Sequence, residues 1–534
     1  MEHFELFLIV LFVAVAGLNV VANRVGVPYP IPLVIGGLAL GFVPGVPDVE
    51  LEPELVLVIF LPPLLYAAAF FSDLHALRRD LRPISLSAIG LVIATTLSVG
   101  VIAHEAIGMP WAVAFALGAI VSPTDPVAAT SIMRNVGAPR RIVNIVEGES
   151  LVNDASALIL YRTAVAAAVG GSFSIVDAGL EFVGAAAGGI AVGLAVAFVI
   201  GEIRRRIEDA PTEITTSILT GYAAFIPAEE LGLSGVLAAV AAGIYLGFRA
   251  PELISPQTRL QAFGTWEILT FLLNATLFIL IGLQLPVIVD GLDRGIWEAI
   301  GWSALICATV IATRIVWNWA TPYVVRALDR RPAQRARRAP WQVRFVVSWS
   351  GMRGAVSLAA ALALPLDTDA GGAFPDRDLI LFITFVLILV TVVGQGLTLP
   401  AVIRGLGVVE DGSEEEAEEL KARLVASRAA LERLDELKLE DWTREDTLER
   451  VRGTYRFRQR RFKIRAGKLE DEEDGGGIEN RSLAYQRLMI DVYNAQRQAL
   501  VRLRNSGEIS AEVQRRVEHD LDLEQTRLEI RDGE

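Results

Sequence analysis

The run Glu147-Gly-Glu149-Ser150-Leu-Val-Asn153-Asp154-Ala-Ser156 places three carboxylates and a carboxamide inside a segment that hydropathy reads as membrane-spanning. An ionised side chain at bilayer depth costs at least about 2.5–3.5 kcal/mol on insertion scales, so such residues mark an ion or proton path by default. At 100° per residue Ser150 and Asp154 stand one above the other on a helix, with Glu149 and Asn153 in the adjacent column. Upstream, Ser122-Pro123-Thr124-Asp125-Pro126 carries two prolines three apart, which remove backbone donors and interrupt a helix near mid-span. The carbonyls so freed are candidate cation ligands. Hard cations such as Na⁺ take several oxygens, and Asp125, Thr124, Ser150 and Asp154 offer them as candidate metal-binding residues, with water and backbone completing the shell.

Two carboxylates about 5 Å apart repel by about 3 kcal/mol at an effective dielectric of 20. Partial burial adds to the cost of ionising both, so a proton and a metal ion compete for one site. Competition of this kind suffices for exchange if the empty carboxylate pair cannot cross. Plainer readings stand beside these. Asp125 between prolines fits a helix cap in a re-entrant loop, and Asn153, a candidate ion-binding residue with the other four, also fits an interhelical hydrogen-bond anchor. Glu149 reads as a structural partner of an intramembrane arginine, because an unpaired buried charge is very costly; Arg162, Arg314 and Arg353 are the candidates.

The elements that must position these residues follow from hydropathy. Apolar residues make up 53% of the 534-residue chain, mean hydropathy is +0.45, and apolar runs recur near the ~20 residues needed to cross a bilayer. Thirteen candidate spans result: 4–22, 30–46, 54–71, 83–104, 111–133, 142–169, 178–203, 212–229, 234–248, 264–288, 297–325, 343–365 and 378–404. The first follows Glu2 and Glu5 without Lys or Arg and reads as a retained helix, not a signal peptide. Loops after odd-numbered spans hold nineteen arginines, whereas those after even-numbered spans hold Arg294 and Arg377 alone. Basic residues mark the cytoplasmic side, which puts the N-terminus outside and the C-terminus inside.

The twelfth span contains Ser350-Gly351-Met352-Arg353-Gly354, whose glycines make a weak point matching the prolines of the fifth. Five and twelve are seven spans apart, so they cross the membrane in opposite senses. An inverted repeat is expected, spans 1–6 against 8–13, with broken helices enclosing a midplane site. Irregular backbone at that depth is tolerated only where it is buried in protein or lines a cavity. The fold class is therefore all-α and polytopic, a membrane domain over 1–407 followed by a helical cytoplasmic domain over 408–534.

The boundary is compositional. No Lys precedes Lys421, and the last 127 residues carry 24 basic and 31 acidic side chains. Leu420, Leu424, Leu431, Leu434 and Leu437 recur at helical spacing, as do Leu500, Leu503, Val513, Val517 and Leu521, with Glu470–Gly477 as a polar linker. This tail packs on itself or on the membrane domain; a regulatory or dimerising role is the alternative. The net charge of −13 divides as −6 before residue 408 and −7 after it, unlike a nucleic-acid binder. Cys307 is alone, which excludes an intramolecular disulfide and suggests no zinc cluster. His3, His75, His104 and His519 lie near span ends or in the tail, so proton chemistry inside the membrane falls to carboxylates.

The strings Ser122 to Ala128 (SPTDPVA), Glu147 to Ala157 (EGESLVNDASA) and Gly351-Met-Arg-Gly354 resemble the monovalent cation:proton antiporters of the NhaP and NHE type, specifically the bacterial Na⁺/H⁺ exchangers. The resemblance covers the whole membrane part. It implies a thirteen-helix inverted-repeat fold with a dimerisation domain and a moving core, working as a homodimer by alternating access. It also implies that Asp154 is the main ion-binding carboxylate, with Asp125, Thr124 and Ser150 beside it. Asn153 stands where electrogenic relatives carry a second Asp, which implies electroneutral one-for-one exchange. The family's buried ion pair falls on Glu149 and Arg314, and its basic residue at the helix-twelve break on Arg353. Some relatives have an acid at or near Ala67, where this chain has none.

A secondary-active Na⁺/H⁺ antiporter of a bacterial-type plasma membrane is expected, serving pH homeostasis, with protons moving in and sodium out. The transported ions, Na⁺ (with Li⁺ or K⁺ as further substrates) and H⁺, take the place of cofactors. Neither enzymatic activity nor a nucleic-acid partner is expected. The nearest alternative is a K⁺(Na⁺)/H⁺ exchanger, because oxygen ligands alone do not fix ion size. A cation channel would need acids recurring along a path instead of clustering at one depth. A membrane-anchored sensor would need a catalytic or nucleotide-binding motif in the tail, and no such motif is recognisable there.

Overall fold

The computed structural model describes residues 2–43, 56–170, 175–292, 294–328, 340–369, 371–410, 412–469, 477–506 and 508–529. The expected end of the second span and start of the third, most of the arginine-rich loop after the eleventh, and linker residues 470–476 lie outside the described residues. The chain divides into two compact units, Met1–Glu410 and Asp411–Glu534. Among the described residues regular structure is helical, apart from an isolated bridge between Asp367 and Ala373.

The first unit runs as α1 (Glu2–Val25), α2 (Pro30–Gly41) and α3 (Leu61–Phe70), the last entered through a π-helical turn, Val56–Phe60. Next come α4 (Val92–Ile102), α5 (Trp111–Ile120), α6 (Pro126–Val136) and α7 (Arg140–Gly170). There follow α8 (Ile175–Arg204), α9 (Ala210–Glu230), α10 (Gly235–Leu253), α11 (Pro256–Leu283) and α12 (Ile296–Leu328). The unit closes with α13 (Trp341–Trp349), α14 (Ala355–Leu362), α15 (Arg377–Leu389) and, after the π-helical segment Val390–Gln395, α16 (Gly396–Gly405).

Six continuous helical stretches among the described residues are long and apolar enough to cross a membrane: Leu81–Ile107, Ala178–Arg204, Gly235–Leu253, Pro256–Asp290, Ile296–Ala327 and Arg377–Gly405. Others are apolar but short, such as Leu57–Phe70 and Trp111–Ile120. The 142–169 segment is one helix, α7, and carries more charge than such a stretch tolerates because it holds the acidic run. Helix starts follow local chemistry. Asp73, Asp209, Ser234 and Ser255 each cap a following helix by accepting backbone N–H bonds, which satisfies donors that have no intrahelical partner.

Packing in the first unit relies on close backbone approach. On Gly37 of α2 an added Cβ would sit 2.2 Å from the Ile279 carbonyl oxygen of α11, and on Gly282 of α11 it would sit 2.4 Å from the Val34 oxygen of α2. Small residues at such crossings let van der Waals contact replace the hydrophobic drive that lipid does not supply. The main core gathers around this crossing and the inner faces of α5, α12 and α15, with Leu117, Ile120, Phe278, Ile306 and Phe385 buried.

The second unit comprises α17 (Ser413–Leu437), α18 (Glu445–Arg465), α19 (Gly477–Asn505) and α20 (Ala511–Glu529). α17 packs on α18 and α19 on α20. Leu420, Leu448, Phe462 and Tyr493 are buried, Arg423 stacks over Phe462 at 5.6 Å, and Arg497 pairs with Asp522 at 2.6 Å.

Replacing Gly37 with Val should force α2 and α11 apart. The expected cost is about 1–3 kcal/mol, typical of overpacking, read as a lowered melting temperature of the detergent-purified protein; an unchanged melting temperature would contradict the crossing.

Candidate ion-binding site

α5 stops at Ile120 and α6 starts at Pro126, because Pro123 and Pro126 cannot donate to a helical ladder. Pro126 opens α6 at the position where a missing N–H costs nothing. Asp125 caps that helix, its Oδ1 accepting from the Val127 N–H at 2.8 Å. On the other side α13 ends at Trp349 and α14 begins at Ala355. The two interruptions bond to each other: the Asp125 N–H donates to the Met352 carbonyl at 2.8 Å. An added Cβ on Gly354 would stand 1.9 Å from Asp125 Oδ2 and 2.6 Å from Asp125 Cβ. Only glycine lets the Asp125 side chain occupy that place.

Arg353 lies in the second interruption and is 1% exposed. Its guanidinium donates to the Ser122 carbonyl and, at 2.7 Å, to the Pro123 carbonyl, while its backbone N–H donates to Thr391 Oγ1 at 3.0 Å. A cation at the carboxyl end of α5 meets the negative end of the helix dipole and the carbonyls left without intrahelical donors. The Thr124 carbonyl accepts from Ser150 Oγ at 2.8 Å. The carbonyls of Ser122, Pro123 and Thr124 thus each accept a bond from a protein donor, for the first two from an arginine reaching across the crossing.

Thr124 is a hub. Its hydroxyl accepts from Asn153 Nδ2 at 2.6 Å and donates to Glu149 Oε1 at 3.4 Å. Glu149 pairs with Arg314 at 2.5 Å, and the two side chains are 1% and 2% exposed. Arg314 also donates to the Val347 carbonyl at 3.3 Å, and an added Cβ on Gly351 would press within 2.5 Å of its Cδ. Arg162 pairs instead with Glu229.

Asp125, Asp154, Ser150 and Thr124 line one cavity of 830 Å³, whose other walls include Tyr29, Phe71, Trp266 and Ala67. Glu149, Asn153, Arg314 and Arg353 are not among its lining residues. The two columns of α7 therefore face different ways: Ser150 and Asp154 toward the cavity, Glu149 and Asn153 toward Thr124 and Arg314. Asp154 is 6% exposed and, among the described residues, accepts no hydrogen bond and forms no ion pair. Other buried acids in this unit are paired: Glu149 with Arg314, Glu213 with Arg204 at 3.3 Å, and Asp80 with Arg141 at 2.6 Å. An unpaired pair of carboxylates facing one cavity can hold a proton or a small hard cation in place of an arginine.

Sequence reasoning missed Glu267, Thr270 and Asn274, which line the same cavity from α11. Their spacing of three and four marks one polar face on an apolar helix, which was the available signal.

The family model described as "Sodium/hydrogen exchanger, transmembrane" matches residues 8–405. The chain belongs to that family. It is a multi-pass membrane protein. It is 37% identical over 527 residues to an uncharacterised Na⁺/H⁺ exchanger of Mycobacterium tuberculosis, covering 98% of this chain and 95% of that relative. It is 35% identical over 418 residues to the sodium, potassium, lithium and rubidium/H⁺ antiporter of Bacillus subtilis, covering 74% of this chain and 61% of that one. In fold it resembles the sodium proton antiporter MjNhaP1 of Methanocaldococcus jannaschii, with a TM-score of 0.59 and 17% identity over 76% of this chain and all of that structure. Members of the family are transporters.

Substituting Arg314 with Met leaves Glu149 buried without its cation. A loss of about 3–5 kcal/mol is expected, measured as destabilisation in detergent, and the double substitution Glu149→Met/Arg314→Met should recover most of it. Equal loss in single and double variants would mean that the pair is not the unit holding α7 to α12.

Proposed function

We propose that this exchanger performs electroneutral Na⁺/H⁺ antiport, with Asp154 as the main ion-binding carboxylate and Asp125, Thr124 and Ser150 beside it. The observation that carries this is the contrast in charge pairing: the Asp154 carboxylate faces a cavity without an arginine partner, while other buried acids have one. In the protonated state a proton offsets its charge. On the loaded side Na⁺ displaces that proton and takes oxygens from both carboxylates and from water. The empty, doubly ionised pair has no compensation and does not cross, which couples the two fluxes.

Asn153 is uncharged, and its Nδ2 donates to the Thr124 hydroxyl. One titrating carboxylate per turnover then exchanges one proton for one Na⁺. Arg353 supports this by neutralising the carbonyl end of α5 without a direct bond to Asp154. Glu149 and Arg314 form the structural pair that holds the hub.

The remaining architecture belongs to the same proposal. Spans 1–6 and 8–13 form the inverted repeats, span 7 between them making thirteen crossings, and α5/α6 and α13/α14 are the broken pair. The membrane domain covers 1–407 and the helical tail 408–534. The protein works as a homodimer in the plasma membrane by alternating access, N-terminus outside and C-terminus in the cytoplasm. K⁺(Na⁺)/H⁺ exchange is the second reading, favoured by the broad ion range in the name of the Bacillus relative.

Proteoliposomes carrying a pH gradient, clamped with potassium and valinomycin, test the proposal. Added Na⁺ should dissipate the gradient at a rate independent of the imposed voltage, and Asp154→Asn should abolish the response. Activity surviving that substitution, or current following voltage, would defeat it.

A further inference from the structure

Ser357 stands in the first turn of α14, three residues beyond the glycine that accommodates Asp125. Serines and threonines within helices of this unit commonly return their hydroxyl to the carbonyl four residues back: Ser156 to Val152 at 3.1 Å, Thr163 to Ile159 at 3.0 Å, Thr391 to Leu387 at 2.8 Å. Ser357 has no such outlet. The residue four back is Arg353, in the interruption, and the helix is entered through Gly354 in an extended conformation (φ −147°, ψ −152°).

The consequence is a buried hydroxyl without a partner. Ser357 is 1% exposed, and its Oγ finds no hydrogen bond among the described residues. Buried polar groups are nearly always satisfied, and an orphan points to a ligand or water that fills the gap. Ser357 lines the same cavity as Asp125 and Asp154. The hydroxyls of Ser150 and Thr124 have their donors spent, on the Thr124 carbonyl and on Glu149, and keep only lone pairs for an ion. The Ser357 hydroxyl is uncommitted.

We propose that Ser357 Oγ is a further ligand of the transported cation and sets its selectivity. This rests on Asp125 and Asp154 being the ion site. A hydroxyl has one donor and two lone pairs, so the same group serves both loaded states. It presents a lone pair to Na⁺ when the metal is bound, and after a change of side-chain rotamer donates its O–H to a carboxylate oxygen when a proton has replaced the metal. A neutral ligand of this kind tunes ion preference without altering the one-for-one charge count.

The test compares wild type, Ser357→Ala, Ser357→Thr and the size-matched Ser357→Cys in full-length protein, in proteoliposomes and by thermal melting in detergent. Ser357→Ala should raise the apparent KM for Na⁺ about tenfold, the loss expected for one oxygen ligand, and change the Na⁺/Li⁺ ratio, while Ser357→Thr restores both. Ser357→Cys should weaken Na⁺ more than Tl⁺, because sulfur is a soft ligand. In sodium-free buffer Ser357→Ala should melt no lower than wild type, since it deletes an unpartnered group, and sodium should stabilise it less. An active Ser357→Ala protein with unchanged KM, ion ratio and sodium-dependent stabilisation overturns the assignment of Ser357 while leaving the carboxylate site intact. Exchange that survives Asp154→Asn overturns both.

Discussion

The crossing of two interrupted helices depends on Arg353. Breaking α5 and α13 within a membrane protein leaves carbonyls and N–H groups without helical partners, and lipid offers none. The guanidinium of Arg353 closes the carboxyl end of α5, and the Asp125 N–H closes onto Met352 from the opposite side. Glycine at 351 and 354 admits Arg314 and Asp125 to distances that any side chain would forbid. Removing one of these contacts leaves buried polar backbone without a partner.

From that constraint follows the distribution of charge. Arg353 and Arg314 are spent on backbone and on Glu149, and Arg204 and Arg141 on Glu213 and Asp80. Asp154 is left facing the cavity with no ion-pair partner. A fixed arginine there would stabilise the carboxylate permanently and remove the reason to bind anything mobile. The same arrangement assigns the two columns of α7 different work, one turned to the cavity and the other to the Thr124 hub.

Much of this was legible from residue type and spacing. Helical periodicity separates Ser150 and Asp154 from Glu149 and Asn153, and the prolines and glycines announce interruptions because their backbone chemistry is local. What spacing does not encode is which distant group answers a freed carbonyl. Arg353 reaches Ser122 and Pro123 across more than two hundred residues, so those oxygens looked available to a cation. The choice of Arg314 over Arg162 and Arg353 for Glu149 came from family resemblance, since all three are arginines in apolar surroundings. Ser357 was invisible for a related reason: its missing partner is the consequence of a helix start, and a helix start is a three-dimensional fact.

Calorimetric Na⁺ titration of the purified protein across a pH series asks whether one proton and one cation compete for the Asp125 and Asp154 cavity. Because protons occupy the same carboxylates, lowering pH must weaken Na⁺ binding. Affinity should fall about tenfold per pH unit on the acid side, and binding should release about one proton, seen as a dependence of the heat on buffer ionisation. Sodium affinity that is constant with pH, with no proton released, would contradict that competition.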